Sequence, residues 1–560
     1  MTGASTPPSV VGPVGAMEPL AVPEYRRVWS AAIVSNVGTF LQLTAAPWLM
    51  NELTGSPLLV ALVTTALTLP RLLFTVPAGV LSDAFDRRTL MITGQLISAS
   101  AVATMAAMTY AGTITPAWLL GLSFVLGTGT AVHLPAFQTL VPDLVGPRLR
   151  AQAITLNSAA FNVARAVGPS LGGVLVAAGL TAVAFGANAV SFLAVVAVLL
   201  SFPRQRVEDD AGRRLWRAAA TGVRYARFTQ PIRVLLVIAA AFAVTATSVQ
   251  ALLPNVVSDD LALGPSGFGF LYGAFGAGAL VAAFTREPAR RVLGQRMLPG
   301  SIVAFGAMGV VFGLSPWPVV SAATLAVAGA AWVWTLTTLN ATIQTLAPGW
   351  VRGRVVSLYL LAIALQPLGA VVAGALAEGV GAGRAVAVAC AATAMLGVVA
   401  SRLTLPVLGE VAEPLPPPDD FSVPQHATRV AGSPVVVATT WQIDPEDLDA
   451  FLAALRVLRR ERFRTGARRW SLYRDADRPY RITEMFTVAD WDEHLAQHGR
   501  IDADTAAALT AAQAFDREGC PVTRHLVGLD IVDVDRDAID AQLLTVHSQA
   551  HAHDGSVPLQ

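Results

Sequence analysis

Between residues 29 and 408 the chain carries about a dozen apolar stretches, each close to the length that crosses a lipid bilayer. A spanning helix needs roughly 20 apolar residues, because only backbone that satisfies its own hydrogen bonds is stable in hydrocarbon about 30 Å thick. The stretches cover residues 29–50, 57–80, 89–111, 116–141, 152–178, 181–202, 232–256, 266–284, 298–314, 317–346, 355–377 and 384–408. The sequence therefore predicts an all-α membrane protein with twelve transmembrane helices.

The arginines predict how these helices are oriented. All 39 basic residues are arginine, and within the membrane region they are concentrated in every second break between the stretches. These breaks contain Arg87 and Arg88, Arg148 and Arg150, residues 204–233, residues 286–296, and Arg352 and Arg354, whereas Arg384 is alone among the intervening breaks. Because positively charged loops stay on the cytoplasmic side, we expect a multi-pass protein of the inner (plasma) membrane with both termini in the cytoplasm.

The composition excludes several other classes of protein. Hydrophobic residues make up 54% of the chain, charged residues 14%, and the mean hydropathy is +0.55, which is typical of a membrane protein. The two cysteines form no disulfide framework or metal motif, and a chain without lysine has no nucleotide-binding GxxxxGK[ST] loop. We expect no cofactor, no metal and no nucleic-acid partner; the expected partners are a small-molecule substrate and the lipid bilayer.

The membrane region repeats itself. Gln138-Thr139-Leu140, Pro142 and Arg148 recur as Gln344-Thr345-Leu346, Pro348 and Arg354, at an offset of 344 − 138 = 206 residues. Two six-helix repeats of the same orientation place a substrate site between them near the middle of the bilayer. The predicted divisions are a disordered cytoplasmic tail (1–24), an N-terminal six-helix bundle (25–202), a cytoplasmic loop (203–231) and a C-terminal six-helix bundle (232–408).

The remainder of the chain has the character of a soluble protein. A Pro-rich linker (409–434) leads into residues 435–533, where strand and helix patterns alternate in the order β-α-β-β-α-β, followed by a disordered tail (534–560). This order predicts a small α+β ferredoxin-like domain on the cytoplasmic side. A sheet with one open face in so small a domain favours a homodimer through this domain.

One motif between predicted helices 2 and 3 resembles the loop motif of the major facilitator superfamily. Gly79, Asp83, Arg87 and Arg88 occupy its glycine, aspartate and paired basic positions, whereas Ala84 and Asp86 replace its usual arginine and second glycine. The resemblance implies a conformational latch, in which the carboxylate pairs with bases in one conformation and separates in the other.

A second motif in predicted helix 5 resembles the glycine-proline signature of exporters in that superfamily. Gly168, Pro169, Gly172 and Gly173 let helices approach closely and bend the axis, and a simple packing kink explains them equally well. With the surrounding LVPDLVGPRLRAQAITLNSAAFNVARAVGPSLGG and WVRGRVVSLYLLAIALQPLGA, the chain is similar to the transmembrane secretion effector subgroup that contains the bacterial enterobactin exporter. This resemblance implies efflux driven by an ion gradient.

Polar side chains inside the bilayer mark either a cavity or a structural hydrogen bond, because burying them in lipid is costly. In the family, helices 1, 4, 7 and 10 line the central cavity. The candidates for that cavity, each balanced against an interhelical hydrogen bond, are Asn36, Gln42, His133, Gln138, Gln250, Asn340 and Gln344.

Arg71 and Arg165 are the sharpest candidates, because each lies too deep in its predicted helix for the guanidinium to reach water at the membrane surface. Each should face protein, water or a bound anion, although hydrogen bonds to backbone carbonyls are an equal alternative for Arg165. The predicted helix cores contain no Asp or Glu. This charge balance favours neutral or anionic substrates and leaves His133 as a weak candidate proton carrier.

The C-terminal segment resembles the small dimeric domains of antibiotic-biosynthesis monooxygenases. His494 and His498 lie one helical turn apart, and we expect them on a solvated helix face, not at a metal. The leading hypothesis is a secondary active exporter of a small hydrophobic or anionic metabolite, such as a siderophore or antibiotic, coupled to protons and without enzymatic activity. The alternatives are an uptake permease and a transporter fused to an active monooxygenase-like domain.

Overall fold

The computed structural model describes residues 17–84, 86–202, 221–403, 434–519 and 521–528, and of residues 75–84 and some positions between 135 and 151 it describes only the backbone. The chain divides into two compact units. The membrane unit comprises Met1–Ala220, Pro231–Thr345 and Gly353–Gly409, and the C-terminal unit comprises Thr221–Gln230, Leu346–Arg352 and Glu410–Gln560.

Among the described residues, twelve apolar helices form the membrane region. They are α1 (Pro23–Thr54), α2 (Pro57–Ala84), α3 (Arg87–Tyr110), α4 (Pro116–Asp143), α5 (Gly146–Ala177), α6 (Thr181–Leu200), α7 (Gln230–Ala246), α8 (Pro265–Leu293), α9 (Met297–Leu314), α10 (Pro318–Leu346), α11 (Arg352–Ile363 and Gln366–Val380) and α12 (Ala382–Arg402). Within the described residues, eleven continuous helical stretches are long and apolar enough to cross a membrane, and one of them, Pro265–Leu314, contains both α8 and α9. The predicted twelve-helix fold is thus confirmed.

Local sequence signals explain where many of these helices begin and end. Proline occupies the first position of α1, α2, α4, α8 and α10, where its fixed φ suits a helix and its missing N–H is no loss. Gly55 ends α1 in the left-handed region, with φ 62°. At the start of α3, the Asp86 carboxylate accepts hydrogen bonds from Thr89 N (3.1 Å) and Thr89 Oγ1 (2.7 Å). The residue that departs from the superfamily motif is therefore a helix cap.

Two helices are interrupted in ways that their apolar patterns do not predict. After α7, the backbone continues through the short helices Ser248–Ala251 and Leu253–Asn255 into a π-helical turn, Val256–Asp260. In α11 the helix breaks between Ile363 and Gln366, just before Pro367. Hydropathy measures only how apolar a stretch is, so it counts each of these as one uninterrupted span.

The C-terminal domain contains a four-stranded antiparallel sheet with helices in the predicted order. Its strands are β1 (Val435–Gln442), β2 (Arg469–Arg474), β3 (Arg481–Val488) and β4 (Val522–Val527), arranged β2-β3-β1-β4, and its helices are α13 (Leu448–Thr465), α14 (Trp491–His498) and α15 (Ala503–Gln513). The helices cover one face of the sheet, where Trp441, Ile482, Phe451 and Leu455 form a buried core. The expected small α+β domain is confirmed.

The two faces of this sheet differ sharply in burial. Alternation along β1 places Val435, Val437 and Trp441 on the covered face, where they are buried. On the opposite face, Tyr473, Val522 and Leu526 are each more than half exposed. The domain therefore has one packed face and one open face.

Candidate functional site

The first cavity lies inside the N-terminal six-helix bundle and has a volume of about 370 Å³. Helices α1 to α6 all contribute to its wall. The polar lining residues are Ser35, Asn36, Thr39, Arg71, Gln95, Ser98, Thr130, His133 and Asn157. The structure therefore brings together three of the residues singled out from sequence, namely Asn36, Arg71 and His133.

His133 is held by a neighbouring amide within this cavity. Gln95 Nε2 lies 3.2 Å from His133 Nε2 and 3.3 Å from Nδ1, and the imidazole packs 5.4 Å from the ring of Phe137. Gln95 is itself buried. As far as the side chains are described, the polar wall thus consists of one arginine, one histidine and several neutral hydrogen-bonding groups, without a carboxylate.

The second cavity lies between the two repeats and has a volume of about 590 Å³. Its wall combines residues of α4 and α5 with Trp332, Val333, Leu336 and Thr337 of α10. Arg165 supplies its charged group, and the guanidinium carbon lies 5.7 Å from the centroid of the Phe275 ring. Phe137, Asn157 and Phe161 line both cavities, so the two spaces adjoin.

The other predicted cavity residues lie elsewhere. Gln42 is buried, and its Nε2 lies 3.1 Å from Met105 Sδ. Asn340 and Gln344 bond to each other along α10, with Gln344 Nε2 donating to Asn340 Oδ1 at 3.0 Å. Gln250 is half-buried in the short helix after α7, and the side chain of Gln138 lies outside the described residues.

The four latch residues lie at the junction of α2 and α3. Gly79 and Asp83 belong to the last turns of α2, and their side chains lie outside the described residues. Arg87 begins α3. Arg88 donates from Nε to the Leu199 carbonyl (2.7 Å) and from Nη2 to the Leu200 carbonyl (3.0 Å), at the end of α6. Here Arg88 caps the C-terminal end of a helix, where a positive charge is favoured.

The glycine-proline motif of α5 lies where α5 meets α1 and α8. A Cβ built on Gly168 would lie 2.5 Å from Phe40 Cβ, and one built on Gly172 would lie 3.0 Å from Thr44 Cβ. On the α8 side, a Cβ on Gly173 would lie 2.7 Å from Gly269 Cα. Glycine is required here because two helix backbones approach too closely for any side chain.

Contacts between the repeats also involve the end of α1 and the start of α2. Asn255 Nδ2 donates to Asn51 Oδ1 at 2.7 Å, and Asn51 Nδ2 donates to Ser258 Oγ at 3.0 Å. The Glu378 carboxylate of α11 accepts from Ser56 Oγ and from the Leu58 N–H at the start of α2. These contacts connect α1 with the segment after α7, and α2 with α11.

The C-terminal domain contains a cluster of three histidines that the sequence did not bring together. His494 Nε2 lies 3.3 Å from His498 Nε2, and the His494 and His525 ring centroids are 4.7 Å apart. Burial lowers the pKa of His494 to about 3 and that of His498 to about 4. The expectation of a solvated face is wrong for His494, whose side chain is 2% exposed, because β4 and Trp491 cover it.

The arrangement of these histidines also bears on metal binding. In the described ranges, no group of three or more His, Cys, Asp or Glu side chains is arranged to hold a metal ion. His494 and His498 are neutral near pH 7 because burial disfavours the charged imidazolium.

Sequence reasoning missed Asn157 and Gln95, and a signal existed for the first. Asn157, Phe161 and Arg165 follow each other at intervals of four residues, which places them on one face of α5. Extending the helical spacing back from Arg165 would have identified Asn157. Gln95 lies on α3, which the resemblance does not assign to the central cavity.

Several named relatives of this chain are transporters. The chain is 29% identical over 370 residues to the multidrug efflux pump Tap of Mycolicibacterium fortuitum, covering 63% of this chain and 88% of the pump. It is 25% identical to the staphyloferrin A transporter of Staphylococcus aureus (61% and 86%) and 25% identical to the enterobactin exporter EntS of Escherichia coli (64% and 86%).

Solved structures show the same fold. The nucleoside transporter NupG, as a D323A mutant, matches with a TM-score of 0.58 at 12% identity, over 68% of this chain and 99% of the transporter. A bacterial homologue of the lysosomal transporter Spinster, in an inward-facing and unoccupied conformation, matches with a TM-score of 0.55 at 17% identity, over 68% and 96%. The family model described as transmembrane secretion effector matches residues 14–531. The chain belongs to this family of major facilitator transporters, which are not enzymes.

Proposed function

We propose that this protein is a secondary active exporter that moves a small hydrophobic or anionic metabolite, such as a siderophore or antibiotic, out of the cell, driven by the proton gradient. The observation that carries this proposal is the charge of the adjoining cavities. Arg71 and Arg165 line them, and among the residues that the structure describes no carboxylate lines either cavity. A cavity with fixed positive charge and apolar walls favours an anion that carries apolar groups.

The printed names of the relatives support export over uptake. One is a multidrug efflux pump and another is an enterobactin exporter. The glycine contacts between α5 and α8 fit the exporter signature predicted from sequence. We assign this direction to the present chain as a proposal.

Alternating access explains the arrangement of contacts and space in the membrane unit. The Asn51–Asn255 and Ser56–Glu378 contacts join the repeats at the end of α1 and the start of α2. The second cavity lies between α5 and α10, and the part of α5 that lines it runs from Ile154 to Arg165. With the termini in the cytoplasm, as the arginines predict, this conformation is closed outside and open inside.

The latch of Gly79, Asp83, Arg87 and Arg88 would then act in the opposite conformation. Asp83 would accept hydrogen bonds when the inner helix ends come together. The Arg88 contacts at the end of α6 support a position at the inner surface, because they place its charge at a helix C-terminus in the basic loop region.

We also propose that the C-terminal domain forms homodimers through the open face of its sheet. Tyr473, Val522 and Leu526 expose apolar surface on that face. Pairing two such faces would remove this surface from water.

The charge of Arg165 provides the direct test of substrate class. In proteoliposomes we would compare efflux of carboxyfluorescein, an anion, with efflux of Nile red, a neutral dye, for the wild type and Arg165→Gln. Because a hydrogen bond to a charged group contributes about 1.5–3 kcal/mol, the substitution should slow carboxyfluorescein roughly tenfold or more, and Nile red much less.

The matched control is Arg402→Gln, which removes an exposed arginine at the end of α12. This variant should transport both dyes like the wild type. Equal losses of both dyes in Arg165→Gln, together with a lower melting temperature, would mean that Arg165 is structural and would refute the assignment of this cavity to anionic substrates.

A further inference from the structure

The C-terminal unit contains two short connectors that are joined in sequence to helices of the second repeat. The first, residues 221–230, leads into α7, and the second, residues 346–352, joins α10 to α11. Phe228 of the first connector stacks on Phe463 of α13, with ring centroids 4.8 Å apart and the planes inclined by 10°. Trp350 of the second connector lies under Arg500, whose guanidinium carbon is 4.3 Å from the ring centroid. Both connectors therefore pack on the C-terminal domain.

Hydrogen bonds within the domain fix the position of the Arg500 guanidinium next to Trp350. Its Nη1 donates to the Thr465 carbonyl at 2.7 Å and to Glu493 Oε1 at 2.6 Å, and its Nη2 donates to Glu493 Oε2 at 3.1 Å. These bonds lie in the plane of the guanidinium and leave its face for the indole. A pre-positioned and largely desolvated cation–π contact is stronger than an exposed one, because little side-chain freedom is lost.

Tyr225 joins the two connectors to each other. Its ring meets Trp350 edge to face, with centroids 5.6 Å apart, and only 2% of the residue is exposed. Burial also raises the pKa of Tyr225. The connectors and the domain thus form one packed cluster instead of separate contacts.

At the corresponding position of the first repeat, the side chain packs on residues of the membrane unit itself. At the offset of 350 − 144 = 206 residues, Trp350 corresponds to Leu144. Leu144 packs in a cluster with Tyr25 and Val145, which also includes Leu20 and Val22 from the segment that begins the chain's described part. In the second repeat, a large aromatic side chain replaces this leucine and receives Arg500.

We propose that the C-terminal domain is permanently docked on the two connectors, by Arg500 on Trp350 and by Phe463 on Phe228, and that it stays docked on them throughout the transport cycle. Phe228 lies two residues before α7, and Trp350 lies between α10 and α11, so both docking points are attached in sequence to helices of the second repeat. Movement of one repeat against the other therefore does not require these contacts to separate. The transport part of this statement rests on the proposed function; the docking part does not.

Hydrogen exchange tests the docking on the full-length protein in lipid nanodiscs. Trp350→Leu copies the residue of the first repeat and removes the cation–π contact. We expect amide exchange in residues 221–230 and 491–500 to become about five- to thirtyfold faster, which is the change that loss of a desolvated cation–π contact produces. Arg517→Gln is the matched control, because Arg517 contacts Tyr480 and Asp444 elsewhere in the domain.

Unchanged exchange in Trp350→Leu would overturn the docking proposal. Should Trp350→Leu lose its fold along the whole chain, Phe228→Leu removes the other contact and should accelerate the same peptides. Unchanged exchange in that variant would likewise overturn the proposal.

Cross-linking tests whether docking persists during transport. Phe228→Cys and Phe463→Cys, with Cys520→Ser, would be joined by a short bismaleimide; Cys390 is buried. We expect the cross-linked protein to export carboxyfluorescein at the rate of the untreated double-cysteine protein. Loss of transport only after cross-linking would show that the domain must leave, and would overturn permanent docking. Absence of transport before cross-linking would instead count against the proposed function, and the exchange data would still decide the docking.

Discussion

The histidine cluster predicts that the C-terminal domain loses stability in mild acid. His494 and His498 have pKa values of about 3 and about 4 in the folded chain, against 6.5 for an unperturbed histidine. The main cause is burial, and His525 and Arg462 add repulsion. Because the folded pKa values are lowered, the unfolded domain binds more protons below about pH 6.5, so stability is full above that pH and falls as the pH drops towards 3 to 4.

The size of this effect follows from the pKa difference. At about pH 5, a histidine that stays neutral only when folded destabilises the folded state by roughly 2 kcal/mol, since one pKa unit corresponds to about 1.4 kcal/mol. His494 is almost fully buried and contributes this amount. His498 is partly open to solvent, which reduces its contribution to about 1 kcal/mol. The expected total is about 3 kcal/mol between about pH 7.5 and pH 5.

Hydrogen exchange on the full-length protein measures this change, once intrinsic exchange rates are corrected for pH. Amides of β1 and α14 should lose protection by the stated amount in the wild type. In the double variant His494→Gln with His498→Gln, the loss should shrink to below about 1 kcal/mol, because neither glutamine can be protonated. The control His133→Gln changes a histidine of the membrane unit and should leave the loss unchanged. A double variant with the same acid sensitivity as the wild type would refute the reasoning.

Two further predictions concern packing. Gly269→Ala should lower the melting temperature, by an amount that corresponds to about 1–3 kcal/mol, because a Cβ there would lie 2.7 Å from both Gly173 Cα and the Pro169 carbonyl oxygen. The control Gly186→Ala, with nothing within 4 Å of its Cβ, should leave the melting temperature unchanged or raise it. Equal effects of the two substitutions would contradict the close approach of α5 and α8. Leu526→Arg on the open sheet face should convert the dimer to a monomer in native mass spectrometry. The control Val457→Arg, at an exposed position on α13, should leave the dimer intact. A wild-type protein that is already monomeric would refute the proposed dimer.

The sequence predicts the membrane fold well because the bilayer leaves few alternatives. Apolar length and the alternation of arginines identify twelve helices, and the repeated Gln-Thr-Leu segment identifies two repeats. The breaks after Ala246 and Ile363 are not predictable in this way, since hydropathy does not depend on backbone hydrogen bonding. Pro254 and Pro367 were the local signals available.

The candidate site was predictable only in part, because a cavity depends on which helix faces meet. Arg71, His133 and Arg165 stand out in sequence by the cost of placing them in lipid. Neutral groups such as Gln95 carry no such signal. The approach of His525 to His494 depends on strand register: His525 pairs with Val437, which points to the covered face. That register is a tertiary property that the helix spacing of His494 and His498 does not contain.

The position of Arg165 links the cavity to the contact between the repeats. A Cβ added to Gly276 of α8 would collide with the Arg165 carbonyl oxygen, so at this residue the backbones of α5 and α8 touch. The same residue extends its guanidinium to the second cavity and over Phe275, one position before Gly276. The charge in the cavity is therefore fixed to a point where the repeats are in close contact. Any movement of α8 against α5 must shift Phe275 relative to Arg165, and so change how the guanidinium is presented to a bound anion.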